Sequence, residues 1–175
     1  MKRSVFLLTF AGAAVAAPAM AAPAMAADLS VAVEIPRLSV AEYHKPYVAI
    51  WIENPDATAA GTLAVWYDPD SKEDHGTKWL KDMRQWWRKA GREMKFPADG
   101  VSGATRAPGP QKVVFSGAKG ALKNLKPGQY NLVVEAAREV GGHEAVRVPF
   151  VWGQPGKPAS AKGAAELGAV TVVVK

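Results

Sequence analysis

The sequence predicts a mainly β protein folded as a sandwich of two sheets, and three observations carry that expectation. Apolar residues alternate with polar or small ones at a period of two in about seven separate runs. Glycine and proline fall between most of these runs, and only one segment has helical spacing. Short alternating strands joined by tight turns are what a sandwich needs to bury one face of each sheet.

In the first run, Leu29, Val31, Val33 and Ile35 alternate with Ser30, Ala32 and Glu34, which reads as a half-buried strand. The run 47–53 puts Val48, Ile50 and Ile52 on one face and Ala49 and Trp51 on the other. The run 63–67 repeats the design, with Leu63 and Val65 on one face and Ala64 and Trp66 on the other. Runs at 112–115, 130–136, 145–152 and 169–174 complete the set. Before the fifth run, Pro127-Gly128-Gln129-Tyr130 resembles a turn of an Ig-like β-sandwich, with Tyr130 placed as a corner tyrosine.

The exception to the period of two lies between Lys78 and Lys89. Trp79, Leu80, Met83, Trp86 and Trp87 fall at helical spacing among Lys81, Asp82, Arg84, Gln85 and Arg88, which predicts one short amphipathic helix. Its apolar stripe needs a partner, and the sheet face carrying Trp51 and Trp66 is the expected one. Five tryptophans would then meet between helix and sheet. Such a group is expected to be a satellite core, because indoles bring large burial; a sugar-stacking surface or a cofactor platform is the functional alternative.

Residues 90–111 follow, a long loop with no periodicity that includes Gly91, Gly100, Gly103, Gly109, Pro97, Pro108 and Pro110. Loops of that length in compact domains are usually functional or disordered. Residues 153–165, rich in Gly, Pro, Ala and Lys, read as a flexible connection to the last strand.

The N-terminal segment has the three parts of an export signal. Lys2 and Arg3 precede an apolar run from Val5 to Ala17, and small-residue cleavage sites follow at Ala19-Met20-Ala21 and Ala24-Met25-Ala26. The apolar run is too short to span a bilayer. A cut after Ala26 is expected, leaving residues 27–175 as one domain free in the periplasm or secreted, and not embedded in a membrane. Lipidation at the cut would need a cysteine, and the chain has none. The same absence excludes disulfides, thiolate catalysis and cysteine zinc sites. The formal charge is +6, of which Lys2 and Arg3 supply two, and the remainder is spread too thinly to suggest nucleic acid.

The sharpest chemical motif stands in the long loop: Asp99-Gly100-Val101-Ser102-Gly103-Ala104-Thr105. It resembles the acceptor site for covalent flavinylation in the FMN-carrying subunits of Rnf-type and sodium-pumping NADH:quinone oxidoreductase complexes. The resemblance implies that an exported FAD:protein FMN transferase joins FMN, through its phosphate, to the hydroxyl of Thr105. An acceptor segment has to enter another enzyme's active site, and Gly103 and Ala104 keep the approach slim. Arg106 follows directly and could pair with the anionic phosphate.

Other chemistries find less support. The carboxylate-rich stretch from Asp68 to His75 lacks calcium-loop spacing, since Lys72 stands where an oxygen ligand belongs, and a solvated turn is expected there. His44, His75 and His143 are widely separated and form no zinc pattern. No Gly-x-Ser-x-Gly elbow or recognisable Ser/His/Asp arrangement occurs.

Several segments together resemble an uncharacterised family of predicted periplasmic proteins, the domain of unknown function 2271. They are residues 46–54, 62–66, 79–87, 99–106 and 128–139. Members tend to be encoded beside PepSY-type membrane reductases and FMN transferases in iron-uptake settings. The resemblance therefore implies a flavoprotein that carries electrons in the periplasm, with ferric-chelate reduction as one use. This chain departs from the family at Val140, where His is usual, and at Phe115-Ser116-Gly117, where a Trp-Asp-Gly turn is usual. The competing expectation is a cofactor-free binding or accessory module that docks on a membrane redox or transport partner.

Overall fold

The computed structural model describes residues 27–69 and 75–175. The expected export segment 1–26 and residues 70–74 of the carboxylate-rich turn lie outside the described residues. The strands are β1 (Leu29–Ile35), β2 (Tyr47–Glu53), β3 (Ala59–Tyr67), β4 (Ser102–Ala104), β5 (Gly109–Phe115), β6 (Gly128–Ala137), β7 (His143–Trp152), β8 (Ala159–Lys162) and β9 (Ala169–Val174). They form a four-stranded sheet in the order β5-β1-β9-β8 and a five-stranded sheet in the order β4-β3-β2-β6-β7. The β3–β4 pair is parallel, and the others are antiparallel.

The inner faces of the two sheets make the main core. Val31 and Val33 of β1 and Val170 and Val172 of β9 pack with Ile50 of β2 and Val148 of β7, all essentially inaccessible to solvent. The expected mainly β, Ig-like sandwich is therefore present, and each of the predicted runs is a strand. The corner tyrosine is present as well: Tyr130 Oη donates to the Lys126 carbonyl at 2.9 Å and ties the turn to the start of β6.

Two further strands arise where the sequence reads as loop. β8 lies in the stretch expected to be a flexible connection, and pairs with β9 while Ala159 and Ala161 pack on the core. Alanine alternating with Ser and Lys gives too small a contrast to register as a strand pattern. The other addition, β4, carries part of the flavinylation-like motif.

The central strands β2 and β6 are buried on both faces. Their outer face is covered by a 3-10 turn (Trp79–Asp82) and α2 (Arg84–Lys89), which follow the short α1 (His75–Lys78). The expected amphipathic segment is thus helical but not continuous. Met83 leaves the helical region at φ −77°, ψ 73° with its side chain fully buried, so the chain turns inward and restarts as α2.

The expected cluster of five tryptophans resolves differently. Trp51 and Trp86 are fully buried in the layer between helices and sheet, with Trp87 packed partly against them. Trp66 belongs to the main core on the opposite face. A bulge is the cause: Ile50 pairs with Ala64 but Trp51 pairs with Thr62, so Leu63 is an extra residue and the alternation of β3 inverts across it. Trp79 remains half exposed at 50%.

Near the last strand, the Glu144 carboxylate accepts N–H groups of Ala164, Ala165 and Leu167 at 2.6, 3.1 and 2.9 Å. Burial pushes this carboxyl up, but the backbone N–H donors outweigh it and hold it below the ordinary glutamate value. A depressed folded value contributes stability above the unfolded value, about 4.3, and that contribution is lost as pH falls through the folded value. Glu144→Gln is expected to be less stable than wild type at pH 7 by no more than about 1 kcal/mol, since solvent screens this carboxylate, with the gap closing in acid. Urea unfolding at neutral pH and near pH 3 checks this; a gap independent of pH would show that charge is not the cause.

Candidate functional site

The motif is built onto the sheet by a turn and a parallel edge strand. In the turn Ala98–Val101, the Val101 N–H donates to the Ala98 carbonyl at 3.1 Å, and Gly100 takes φ 70°, a region that favours glycine. Ser102 Oγ accepts the Ala98 N–H at 2.9 Å and closes the turn from the other side. β4 then lies along β3, with Ser102, Gly103 and Ala104 opposite Val65, Trp66 and Tyr67. The Val65 N–H donates to the Val101 carbonyl at 2.9 Å, and the Thr105 N–H donates to the Tyr67 carbonyl at 3.0 Å, so both ends are pinned. The segment 90–111 is therefore loop for only part of its length.

Gly103 has a packing reason. A Cβ there would stand 3.3 Å from Trp66 Cδ1, tighter than ordinary contact. Arg106 covers the same indole, its guanidinium carbon 5.2 Å from the ring centroid, a cation–π contact that leaves the residue exposed. Asp99 and Ala104 are exposed. Thr105 is half-buried as the first residue past β4, and among the described residues its hydroxyl makes no hydrogen bond.

Thr105 also stands on the wall of a cleft of about 840 Å³. The cleft opens where the approach to β2, the end of β3, the helical layer and the β6–β7 turn meet. Beside it, Glu135 of β6 is fully buried and accepts the N–H groups of Gln85 and Trp86 at 2.9 and 2.7 Å. His143 Nε2, on the cleft wall, pairs with the same carboxylate. The opening amides of α2 and the imidazole together make an isolated interior charge tolerable.

A second ion pair fixes the β6–β7 turn. Arg138 holds Glu166 through Nε and Nη2 at 3.0 and 3.1 Å, and the Gly142 N–H adds 2.8 Å to the same carboxylate. These hydrogen bonds to Glu166 raise the Arg138 guanidinium further against the opposing effect of burial. Val140, where the family resemblance leads one to expect His, lies on the cleft rim at φ 51° and is 92% exposed.

Three aromatic residues finish the walls. Trp79 contributes its exposed indole, and Tyr47 is held edge-on against Tyr67 with centroids 6.4 Å apart. Tyr43 brings a buried hydroxyl that has no hydrogen-bond partner among the described residues. Burial raises the phenols of Tyr43 and Tyr47 above their usual value, so both stay neutral donors at neutral pH.

Of the expected site residues, only Thr105 reaches the cleft; Asp99, Ser102, Gly103, Ala104 and Arg106 build or flank the strand behind it. Trp86 and Trp87, members of the expected tryptophan cluster, do not line the cleft, and Trp86 is fully buried. Tyr43, Glu135 and His143 escape sequence reasoning as site residues, and Trp79 enters it only as one of the clustered tryptophans, since nothing in their spacing joins them. Among the described residues, no group of three or more His, Cys, Asp or Glu could hold a metal ion.

A β-sandwich with a helical layer on one sheet, and a cleft at the end of that layer, is the class these features define. Residues 28–169 match the family described as "Predicted periplasmic protein (DUF2271)", and the chain belongs to that family. No curated protein and no solved structure matches it. Among the described residues, no helix is long and apolar enough to cross a membrane.

Removing the buried carboxylate tests how the cleft is held. Glu135→Ala should cost about 2–4 kcal/mol, since it strands two amides of α2 and an imidazole. Urea unfolding measures the loss, and hydrogen exchange should quicken first at Gln85 and Trp86.

Proposed function

We propose that the chain is a periplasmic flavoprotein electron carrier with FMN covalently attached to Thr105. One observation carries the reading: the acceptor Thr of the flavinylation-like motif stands on the wall of a cleft of about 840 Å³ with a hydroxyl that makes no hydrogen bond among the described residues. The residues present fit the group. A volume of about 840 Å³ is ample for a flavin mononucleotide by the usual size of ligand pockets, and the unpartnered Tyr43 hydroxyl offers it a donor.

The attachment balances as a phosphoryl transfer. Thr105 Oγ1 forms a bond to the FMN phosphorus of FAD, the pyrophosphate bond breaks, AMP departs, and the hydroxyl proton passes to the transferase or solvent. The FAD:protein FMN transferase supplies the active site, and the export segment 1–26 brings the acceptor to the compartment where it meets that enzyme. Gly103 and Ala104 keep the approach to the hydroxyl slim. Arg106, the next residue, lies over the Trp66 indole behind the strand and would have to swing away from it to pair with the phosphodiester. Once bound, the flavin supplies the redox chemistry, while the chain contributes attachment, orientation and exclusion of water. Electrons would come from a PepSY-type membrane reductase and pass to ferric chelates during iron uptake, as the family resemblance implies.

The pinning of Ser102–Ala104 to β3 favours a second reading, a cofactor-free accessory module docking on a membrane partner. A transferase would have to accept the motif as a strand edge or lift three residues from the sheet.

Intact mass and visible spectrum distinguish the two. The chain, exported together with an active FMN transferase, should gain the mass of one esterified FMN, mapped to Thr105. Thr105→Val should abolish the label and leave the fold intact. Unmodified mass, with the transferase labelling a known acceptor in parallel, would sink the flavoprotein reading and leave partner binding as the account.

A further inference from the structure

We propose that the cleft beside Thr105 is the seat of the flavin's isoalloxazine ring, with Trp79 as its stacking platform and the Tyr43 hydroxyl as a hydrogen-bond donor to a ring acceptor. This rests on the FMN attachment proposed above, and adds where the ring goes and which residues hold it.

Four observations carry the assignment. Trp79 is half exposed at 50% although its neighbours Leu80, Met83 and Trp86 are fully buried, so this indole faces the cleft while the rest of the stripe faces the sheet. An exposed indole on a concave wall is suited to a flat heteroaromatic partner. The Tyr43 hydroxyl is buried without a partner among the described residues, an arrangement that costs free energy until an acceptor arrives. Burial keeps that phenol protonated, as a donor must be.

The third observation is charge. Lys45, Arg84 and Arg138 on the walls face Asp68, Asp82 and Glu139, and with Arg138 committed to Glu166 no positive charge is left in excess. A cleft so balanced suits a neutral ring better than a polyanion. The fourth is rigidity. Tyr47 is braced by Tyr67, the β6–β7 turn is locked by the Arg138–Glu166 pair, and His143 is held by Glu135, so the walls are formed before any ligand enters. Trp86 and Trp87 take no part, because they do not line the cleft.

The test uses flavin fluorescence, which stacking on an indole quenches, and treats ring seating separately from attachment. In flavinylated wild type, emission should be strongly quenched relative to the same protein digested to peptides. Trp79→Ala should restore it with the FMN mass unchanged, and Trp79→Phe should restore it only partly. In Thr105→Val, free FMN should bind saturably, and adding Trp79→Ala should weaken that binding about tenfold, the size expected for loss of one stacking partner. Tyr43→Phe should weaken it too while the unliganded protein unfolds at the same or a higher temperature, since an unpartnered buried hydroxyl has been removed.

A covalently loaded protein whose emission ignores Trp79→Ala, together with no saturable FMN binding by Thr105→Val, would overturn the seat and leave the attachment standing. Saturable, Trp79-dependent binding by a chain that never gains mass would keep the seat and remove the anchor. Neither mass gain nor binding would remove both.

Discussion

Two carboxylates buried on the outer face of the central strands hold the architecture together. Glu135 on β6 takes the opening amides of α2, and Glu53 on β2 takes Lys89 at the other end of the same helix, at 2.6 Å. Arg147 at 3.2 Å and the Trp51 indole N–H at 3.1 Å complete the Glu53 shell. A six-residue helix has no stability of its own in water, so α2 exists because the sheet grips both of its ends. Trp86 sits between the two grips, its indole N–H donating to Thr62 Oγ1 at 3.1 Å. Its burial, and that of Trp51, dominate the energetics of this layer. Met94, Phe96 and Val101 pack on the same cluster, which delivers the chain to the start of β4 and so to Thr105.

What was legible in the sequence follows from this arrangement. Strands whose two faces differ in polarity, such as β1 and β7, announce themselves through alternation. The same signal identified the faces of β2, but one extra residue at Leu63 was enough to send Trp66 to the other side of the sheet, and a bulge leaves no mark in a period-two pattern. The helical stripe predicted a covering layer correctly, yet it could not show that Met83 breaks it, because Met83 turns inward on burial and the restarted helix is held by a carboxylate 49 residues away from Trp86. The motif residues were legible as a motif. The cleft was not, since Tyr43, Trp79 and His143 come from separate parts of the chain and meet only through the packing of the sandwich.

Within the motif the residues divide by the work the structure gives them. Gly100 permits the turn, Ser102 closes it, and Gly103 lets the strand lie against Trp66. Those three would be explained by folding in a protein with no cofactor at all. The side chains of Thr105 and Asp99 have no such explanation: one shows a cleft a hydroxyl without a hydrogen bond among the described residues, the other is an exposed carboxylate within the turn. The case for chemistry at this site therefore rests on the residues that folding leaves unused.

The edges of the two sheets share a property that bears on how the molecule meets others. β4 has three residues and β8 four, while β5 and β7 each carry a proline, Pro110 and Pro149. Short borders and missing amide donors make poor templates for a strand from another chain. Recognition by backbone zippering is thus discouraged on every side of the sandwich. A companion protein must read side chains instead, and at high concentration the molecule is protected from stacking edge to edge with its own copies.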